Sequence, residues 1–291
     1  MVAAGRALGA READPAMRNP DMLAEKLLGP DELALIQEHP IGAALANPGS
    51  TPIYEAMGTA IMMLVRTKFI DEKLTQAIES GARQFVILGA GFDTRAYRFK
   101  DLLRDVKVFE VDSIATQSYK RRRAEATIGP QPANLTYVTI DFNREKLGDA
   151  LLRAGYDPAE KTFFTWEGVT MYVAEEGVRE TLRAIAQAAP GSRLVVDYTT
   201  HAVLDFMEKF PEFGPARFLA KWGEPWVFGL PDGHEREFFI SLGLEARELF
   251  PLFSQDTVKK YLTRADGTVL GAPAPGTPPR PQLSPEAQSA A

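Results

Sequence analysis

Glycines and acidic residues stand at the ends of several predicted strands, and these residue types can bind a nucleotide-like ligand. The first such strand passes through four apolar residues into Gly89-Ala90-Gly91. A turn of this kind allows a ligand to approach the backbone closely. The pattern reads G-x-G-x-x-T, with Thr94 where a dinucleotide fingerprint has its third glycine or alanine. Because G-x-G alone is weak evidence, the ends of the following strands decide which ligand is favoured.

The next three strands each end in an acidic residue. Asp112 lies about twenty residues beyond the glycine turn, where a carboxylate can accept hydrogen bonds from both ribose hydroxyls of NAD or of S-adenosylmethionine. Asp141 and Phe142 follow the third strand, and they suit the amine and the ring face of an adenine. This third acidic position favours S-adenosylmethionine over NAD. Glu167 and Tyr172 follow the fourth strand and place a carboxylate and a phenol near the reacting atoms.

The composition excludes several other classes of function. The net charge of −6 argues against a nucleic-acid partner, and the absence of cysteine excludes disulfides, thiolate catalysis and cysteine-ligated metals. The three histidines, at 39, 201 and 234, are too scattered to predict a metal site. No apolar run reaches the ~18–20 residues that span a bilayer, and the N-terminus lacks the apolar core of a secretory signal. We therefore expect a soluble, cytoplasmic protein with no membrane partner.

The regular alternation of strands and helices after residue 81 predicts an α/β fold around a mainly parallel sheet with helices on both faces. We expect seven strands, the last two forming a closing hairpin. The predicted strands are residues 84–88, 107–111, 135–140, 162–166, 193–197, 244–249 and 258–262.

The segments outside this alternation predict the domain organisation. Residues 1–20 are expected to be poorly ordered, and residues 21–265 to form a single domain that opens with helices over 21–80. The aromatic-rich segment 201–240 interrupts the alternation, and we interpret it as an inserted helical lid over an acceptor site. Its aromatic residues could instead pack behind the sheet. Residues 271–291 contain six prolines and are expected to be disordered.

Several spaced motifs together carry a family resemblance. The segments LGAGFDTRAYR, FEVD, WEGVTMY and APGSRLVVDY resemble the leucine carboxyl methyltransferase family. They are most similar to its bacterial branch of S-adenosylmethionine-dependent O-methyltransferases, which includes polyketide carboxyl methylases. The resemblance covers residues 50–250 and implies a class I, Rossmann-like methyltransferase fold with N-terminal helices and an inserted lid.

The resemblance also implies a role for individual residues toward S-adenosylmethionine. Without it, Arg66 would be interpreted as a charge on a helix surface. The implied roles are the methionyl carboxylate for Arg66, the glycine loop for Gly89 and Gly91, the ribose for Asp112, the adenine for Asp141 and Phe142, and the two ends of the E-G-x-x-x-Y motif for Glu167 and Tyr172.

The leading hypothesis is an O-methyltransferase that acts on a carboxylate or hydroxyl of a small molecule, such as a polyketide-like compound of secondary metabolism. A carboxylate acceptor needs no general base, whereas a phenol, with a pKa near 10, benefits from one. His201, just past the fifth strand, is the best candidate base. Alternative hypotheses are a protein C-terminal carboxyl methyltransferase, an NAD-dependent oxidoreductase and a non-catalytic binding protein. The acceptor and the oligomeric state stay open.

Overall fold

A five-stranded parallel sheet forms the centre of the fold. The computed structural model describes residues 1–46, 53–211, 219, 223, 225–252 and 254–271. Within these residues the strand order is β3-β2-β1-β4-β5, and every neighbouring pair is parallel. The strands are β1 (Gln84–Leu88), β2 (Lys107–Asp112), β3 (Leu135–Thr139), β4 (Thr162–Trp166) and β5 (Arg193–Val196).

The register of the strands brings their carboxyl ends to one edge of the sheet. Leu88 at the end of β1 pairs with Val111 on one side and with Trp166 on the other. Asp112 pairs with Thr139 at the end of β3. The residues that follow these strands therefore lie beside one another, as the sequence predicts for a ligand site in an open parallel sheet.

Helices cover both faces of the sheet. Alternate residues of β1 point to opposite faces, so Val86 and Leu88 belong to one apolar core while Phe85 and Ile87 belong to the other. The helices are α1 (Val2–Gly9), α2 (Ala24–Leu27), α3 (Pro30–Leu35), α4 (Pro40–Ala46), α5 (Ile53–Glu79), α6 (Arg95–Arg98), α7 (Ile114–Thr127), α8 (Leu147–Arg153), α9 (Glu175–Ala186), α10 (His201–Lys209), α11 (Glu235–Ser241) and α12 (Gln255–Thr257). None of the helices described here is long and apolar enough to cross a membrane.

The N-terminal residues are ordered, and the prediction that residues 1–20 lack structure is wrong. Ala4 and Ala7 of α1 are fully buried, and a Cβ added to Gly5 would lie 2.7 Å from Cγ of Met63 on α5. The small residues Ala4, Gly5 and Ala7 allow α1 to pack closely against α5. A short helix of this kind takes its stability from packing rather than from its own propensity.

The closing hairpin is absent from the described residues, so the sheet there has five strands rather than seven. Residues 244–250 form neither a helix nor a strand. Residues Val258–Leu262 continue α12 as a π-helical turn, because Val258, Tyr261 and Leu262 have the spacing of a helix rather than of a strand. Ser254 caps this segment by accepting a hydrogen bond from the Thr257 N–H at 3.2 Å. The tail predicted to be disordered lies outside the described residues from 272 onward.

The C-terminal turn packs against α5, the longest helix. Tyr261 and Leu262 are buried together with Leu64 and Val65 of α5. The hydroxyl of Tyr261 donates to the Glu72 carboxylate at 2.9 Å. The middle of α5 is therefore held between the sheet and the C-terminal turn.

The segment predicted to be a lid combines helices with a stretch of irregular structure. It contains α10 and α11, and its residues 225–230 run beside the end of the E-G-x-x-x-Y motif, where the Val227 N–H donates to the Met171 carbonyl at 2.7 Å. Phe228, Phe238 and Phe239 are buried in the core beside the sheet. Some aromatic residues of the segment therefore pack on the sheet, and a lid role for the rest stays a prediction. Residues 212–218, 220–222 and 224 of this segment lie outside the described residues.

Candidate functional site

The glycine turn after β1 and the carboxylate at the end of β2 are joined directly. Gly89 and Gly91 adopt φ values of +59° and +45°, a region that favours glycine. A Cβ on Gly89 would lie 2.2 Å from Cγ2 of Val169, so a larger residue does not fit. The Gly91 N–H donates to Oδ2 of Asp112 at 2.5 Å, and the Ser113 N–H donates to Oδ1 at 2.6 Å. The structure thus brings the predicted residues Gly89, Gly91 and Asp112 together at the ends of β1 and β2.

Asp112 remains available to a ligand because its side chain is only half-buried. Burial raises the pKa of this carboxyl, while the hydrogen bonds from Gly91 and Ser113 oppose the rise. An ionised carboxylate has about four lone-pair sites, so two backbone donors leave room for the two hydroxyls of a ribose.

Asp141 and Phe142 follow β3 at the same edge of the sheet. Asp141 is exposed and accepts a hydrogen bond from the Asn143 N–H at 3.0 Å. The ring of Phe142 is half-buried, with its centroid 5.8 Å from that of Trp166 at the end of β4. The pair thus offers an acceptor oxygen beside an aromatic surface.

Glu167, directly after β4, faces three arginines. Its side chain is 8% exposed and lies 3.0 Å from Nε of Arg66, 2.9 Å from Nη1 of Arg95 and 3.6 Å from Nη1 of Arg6. Burial alone would raise the pKa of Glu167, but Arg66, Arg95 and Arg6 outweigh it and hold the pKa well below its usual range. Glu167 is therefore a permanent anion at neutral pH.

Arg66 also binds a carboxylate that our sequence analysis did not select. Asp197 follows β5, pairs with Nη1 of Arg66 at 2.5 Å and accepts a hydrogen bond from the Gly168 N–H at 2.7 Å. Burial raises the pKa of Asp197, and Arg66 opposes this rise. The signal for Asp197 was available, because it ends a predicted strand as Asp112 and Glu167 do.

Arg95 links the glycine turn to α5. Its side chain is 2% exposed, and its nitrogens lie 2.7 Å from Oδ1 of Asp71 and beside the carboxylate of Asp93. Thr94, the departure from the dinucleotide pattern, donates its hydroxyl to Oδ1 of Asp21 at 2.5 Å. A glycine has no side chain to make this contact, so Thr94 connects the glycine turn to Asp21 in the N-terminal segment.

The two predicted catalytic residues lie on adjoining segments at the same edge. Tyr172 is 37% exposed, and its ring meets that of Trp226 edge to face, with centroids 6.4 Å apart. His201 is exposed at the first position of α10, where its backbone N–H donates to the Leu230 carbonyl at 2.9 Å. The stretch 225–230 connects these two positions. The described residues contain no cluster of three or more acidic or histidine side chains able to hold a metal ion.

The strand order and the residues at the strand ends define a class I, Rossmann-like methyltransferase fold. A solved structure from Thermobifida fusca, described provisionally as a methyltransferase, shares this fold with a TM-score of 0.51 at 17% identity, over 90% of this chain and 91% of that one. The family model for leucine carboxyl methyltransferases matches residues 1–186. The chain belongs to the leucine carboxyl methyltransferase family, and the predicted resemblance is confirmed.

Bacterial relatives carry names that describe them, provisionally, as S-adenosyl-L-methionine-dependent methyltransferases. One from Mycolicibacterium smegmatis is 39% identical over 210 residues, covering 70% of this chain and 66% of that protein. One from Streptomyces avermitilis is 34% identical over 171 residues, covering 58% of each chain. One from Mycobacteroides abscessus is 32% identical over 242 residues, covering 80% and 68%. The chain therefore spans about three fifths to two thirds of the length of these relatives.

Proposed function

We propose that this protein is an S-adenosylmethionine-dependent O-methyltransferase whose acceptor is a carboxylate or hydroxyl of a small apolar molecule. One observation carries the proposal: the Gly91 N–H of the glycine turn binds the Asp112 carboxylate, beside a Glu167 that is paired with arginines. This combination offers acceptors for a ribose next to a charged pocket for an amino-acid group. The names of the bacterial relatives agree with it.

The residues present fit the cofactor at each of its ends. Asp112 would hold the ribose, Asp141 and Phe142 the adenine, and Arg66 the methionyl carboxylate. Arg66 Nε and Glu167 Oε1 are shielded from solvent and lie 3.0 Å apart as an ion pair, but among the described residues neither atom has a hydrogen bond of good geometry. A zwitterionic ligand that adds well-aligned hydrogen bonds to this pair would gain affinity.

The chain's own part in the reaction is alignment. The cofactor supplies a methyl group on a sulfonium, which needs no further activation. The protein has to hold the acceptor oxygen in line with that methyl group, and alignment of this kind is worth ~7–11 kcal/mol in favourable cases. Tyr172 and Trp226 would provide an aromatic wall for an apolar acceptor. His201 would take the proton of a hydroxyl acceptor, and a carboxylate would need no base.

Calorimetric titration with S-adenosylhomocysteine, with NAD in parallel, tests the cofactor assignment. We expect one-to-one binding of the first ligand and none of the second. Asp112→Ala should abolish binding because it removes the ribose acceptor. Asp105→Ala is the matched control, since Asp105 is an exposed aspartate before the opposite end of β2. Binding of NAD alone, or full affinity in Asp112→Ala, would overturn the proposal.

The role of His201 is tested separately, once carboxylate and phenol acceptors have been screened. His201→Ala should slow the methylation of a phenol by about 10²–10⁴-fold and leave the methylation of a carboxylate nearly intact. An unchanged rate on a proven phenol acceptor would remove His201 as the base.

A further inference from the structure

Arg6 on α1 reaches the candidate site although it lies far from it in the sequence. The residue is 4% exposed. Its Nη2 donates to the Phe92 carbonyl at 2.8 Å, its Nε lies 2.9 Å from Asp21, and its Nη1 lies 3.6 Å from Glu167. Phe92 directly follows Gly91, so one guanidinium contacts both the glycine turn and the acid after β4.

The helix that carries Arg6 also touches the turn after β4. A Cβ on Gly168 would lie 3.6 Å from Cγ2 of Val2 and 3.7 Å from Nη2 of Arg66. On α5, Met63 packs against Gly5 and its sulfur lies 3.1 Å from the same Nη2. The first turns of α1 and the side chain of Arg66 therefore share one small region beside Glu167.

We propose that Arg6 is a positioning residue for the amino-acid end of the cofactor, a role that rests on the proposed function. Glu167 divides its charge among Arg66, Arg95 and Arg6. When Arg6 is removed, Glu167 pairs more strongly with the remaining arginines, and Arg66 is less available to a ligand carboxylate. Arg6 thus acts through Glu167, without touching the ligand.

Two ligands separate this role from a general structural one. S-adenosylhomocysteine carries the amino-acid group, whereas 5′-methylthioadenosine keeps the adenosine and the sulfur but lacks that group. In Arg6→Met we expect the Kd for S-adenosylhomocysteine to rise about tenfold, and the Kd for methylthioadenosine to stay unchanged. Arg6→Lys should recover part of the affinity, because it restores the charge without the forked geometry of a guanidinium.

Arg11→Met is the matched control on the same N-terminal segment. Arg11 follows α1 and anchors it through Glu25 at 2.5 Å and the Leu45 carbonyl at 3.0 Å, away from the site. Both ligands should bind this variant as they bind the wild type. If Arg11→Met matches the loss in Arg6→Met, the effect belongs to docking of the helix, and the proposal is wrong.

The remaining outcomes also decide the matter. Equal losses for both ligands in Arg6→Met, or no loss for either, would overturn the role of Arg6 while leaving the proposed function in place. Should Arg6→Met fail to fold, Arg6→Lys takes its place, and a selective loss smaller than tenfold supports the proposal. A wild-type protein that binds neither ligand would overturn the proposed function, and the role of Arg6 with it.

Discussion

Two enclosed glutamates show how differently the same fold treats one residue type. Glu167 at the edge of the sheet faces three arginines, and its pKa is held well below the usual range. Glu110 in the middle of β2 is fully buried and pairs with Lys120 of α7 at 2.6 Å, yet burial raises its pKa to about 7. Both side chains lose nearly all contact with water. The number of nearby cations therefore decides which glutamate stays charged.

The different charge states of Glu167 and Glu110 suit their positions in the fold. A permanent anion beside Arg66 belongs where we propose that a zwitterionic ligand binds. Glu110 lies within β2 rather than at its end, and its Oε1 has no hydrogen-bond partner among the described residues. Its single counter-charge makes it a group that changes protonation near neutral pH. Burial costs both glutamates desolvation free energy. The three arginines around Glu167 offset more of this cost than the single Lys120 beside Glu110 does.

The largest expected effect on stability comes from removing the Arg95 side chain, because a single cation then no longer pairs with three carboxylates. These belong to Asp71, Asp93 and Glu167. Arg95→Met should lower the free energy of unfolding by about 3–5 kcal/mol, the usual result of leaving buried charge uncompensated. Urea denaturation followed by circular dichroism measures this change. Arg104→Met is the control, since the Arg104 side chain is 74% exposed and pairs with a similarly exposed Asp101; its effect should stay below about 0.5 kcal/mol. A similar small loss in Arg95→Met would show that the network contributes little.

A smaller effect is expected from Lys120, because Glu110 can take up a proton when its partner is lost. Lys120→Met should cost about 2–3 kcal/mol at pH 8 and less at pH 6, where Glu110 is neutral. Thermal or urea unfolding at both pH values tests this. The double variant Lys120→Met with Glu110→Gln should recover most of the loss at pH 8. Equal losses at the two pH values would contradict the assignment of a titrating Glu110.

The smallest effect concerns the wild-type protein as a function of pH. Glu110 has a folded pKa of about 7 and an unfolded value near 4.5, so the folded state binds more protons between these values. Its contribution is therefore greatest below pH 4.5 and is lost as the pH rises through 7. Between pH 6 and pH 8 the loss should be about 1 kcal/mol.

Glu110→Gln provides the reference for this measurement. The difference in unfolding free energy between the wild type and the variant removes the contributions of other titrating groups, including His39. This difference should fall by about 1 kcal/mol between pH 6 and pH 8. A difference that stays constant from pH 6 to pH 8 would mean that Glu110 does not titrate there.

The sequence predicted the sheet better than its surroundings. Residues 84–88 and 162–166 are strands in the structure with the predicted bounds, because short apolar runs with polar ends suit fully buried parallel strands. The C-terminal hairpin failed because a short apolar segment does not distinguish a strand from a helical turn. Helix α1 was missed because it is stabilised by packing against α2, α4 and α5, which lie further along the chain.

The candidate site was predictable only where a strand end marks it. Asp112, Asp141 and Glu167 follow strands, so their shared edge could be inferred from topology. Arg66 was selected through the family resemblance alone. Arg6 and Arg95 were not selected, because their partners lie up to 161 residues away in the sequence. Charge networks of this kind depend on tertiary contacts that no local pattern contains.

Helix α5 connects the candidate site to the C-terminal turn. It is 27 residues long, about 40 Å at 1.5 Å per residue, and it carries Arg66 on one stretch and Glu72 about 9 Å further along its axis. Glu72 is tied to Tyr261 at 2.9 Å and to Lys260 at 2.6 Å. The C-terminal turn thus helps to hold α5 in place along its axis, and with it the position of Arg66 beside the strand ends.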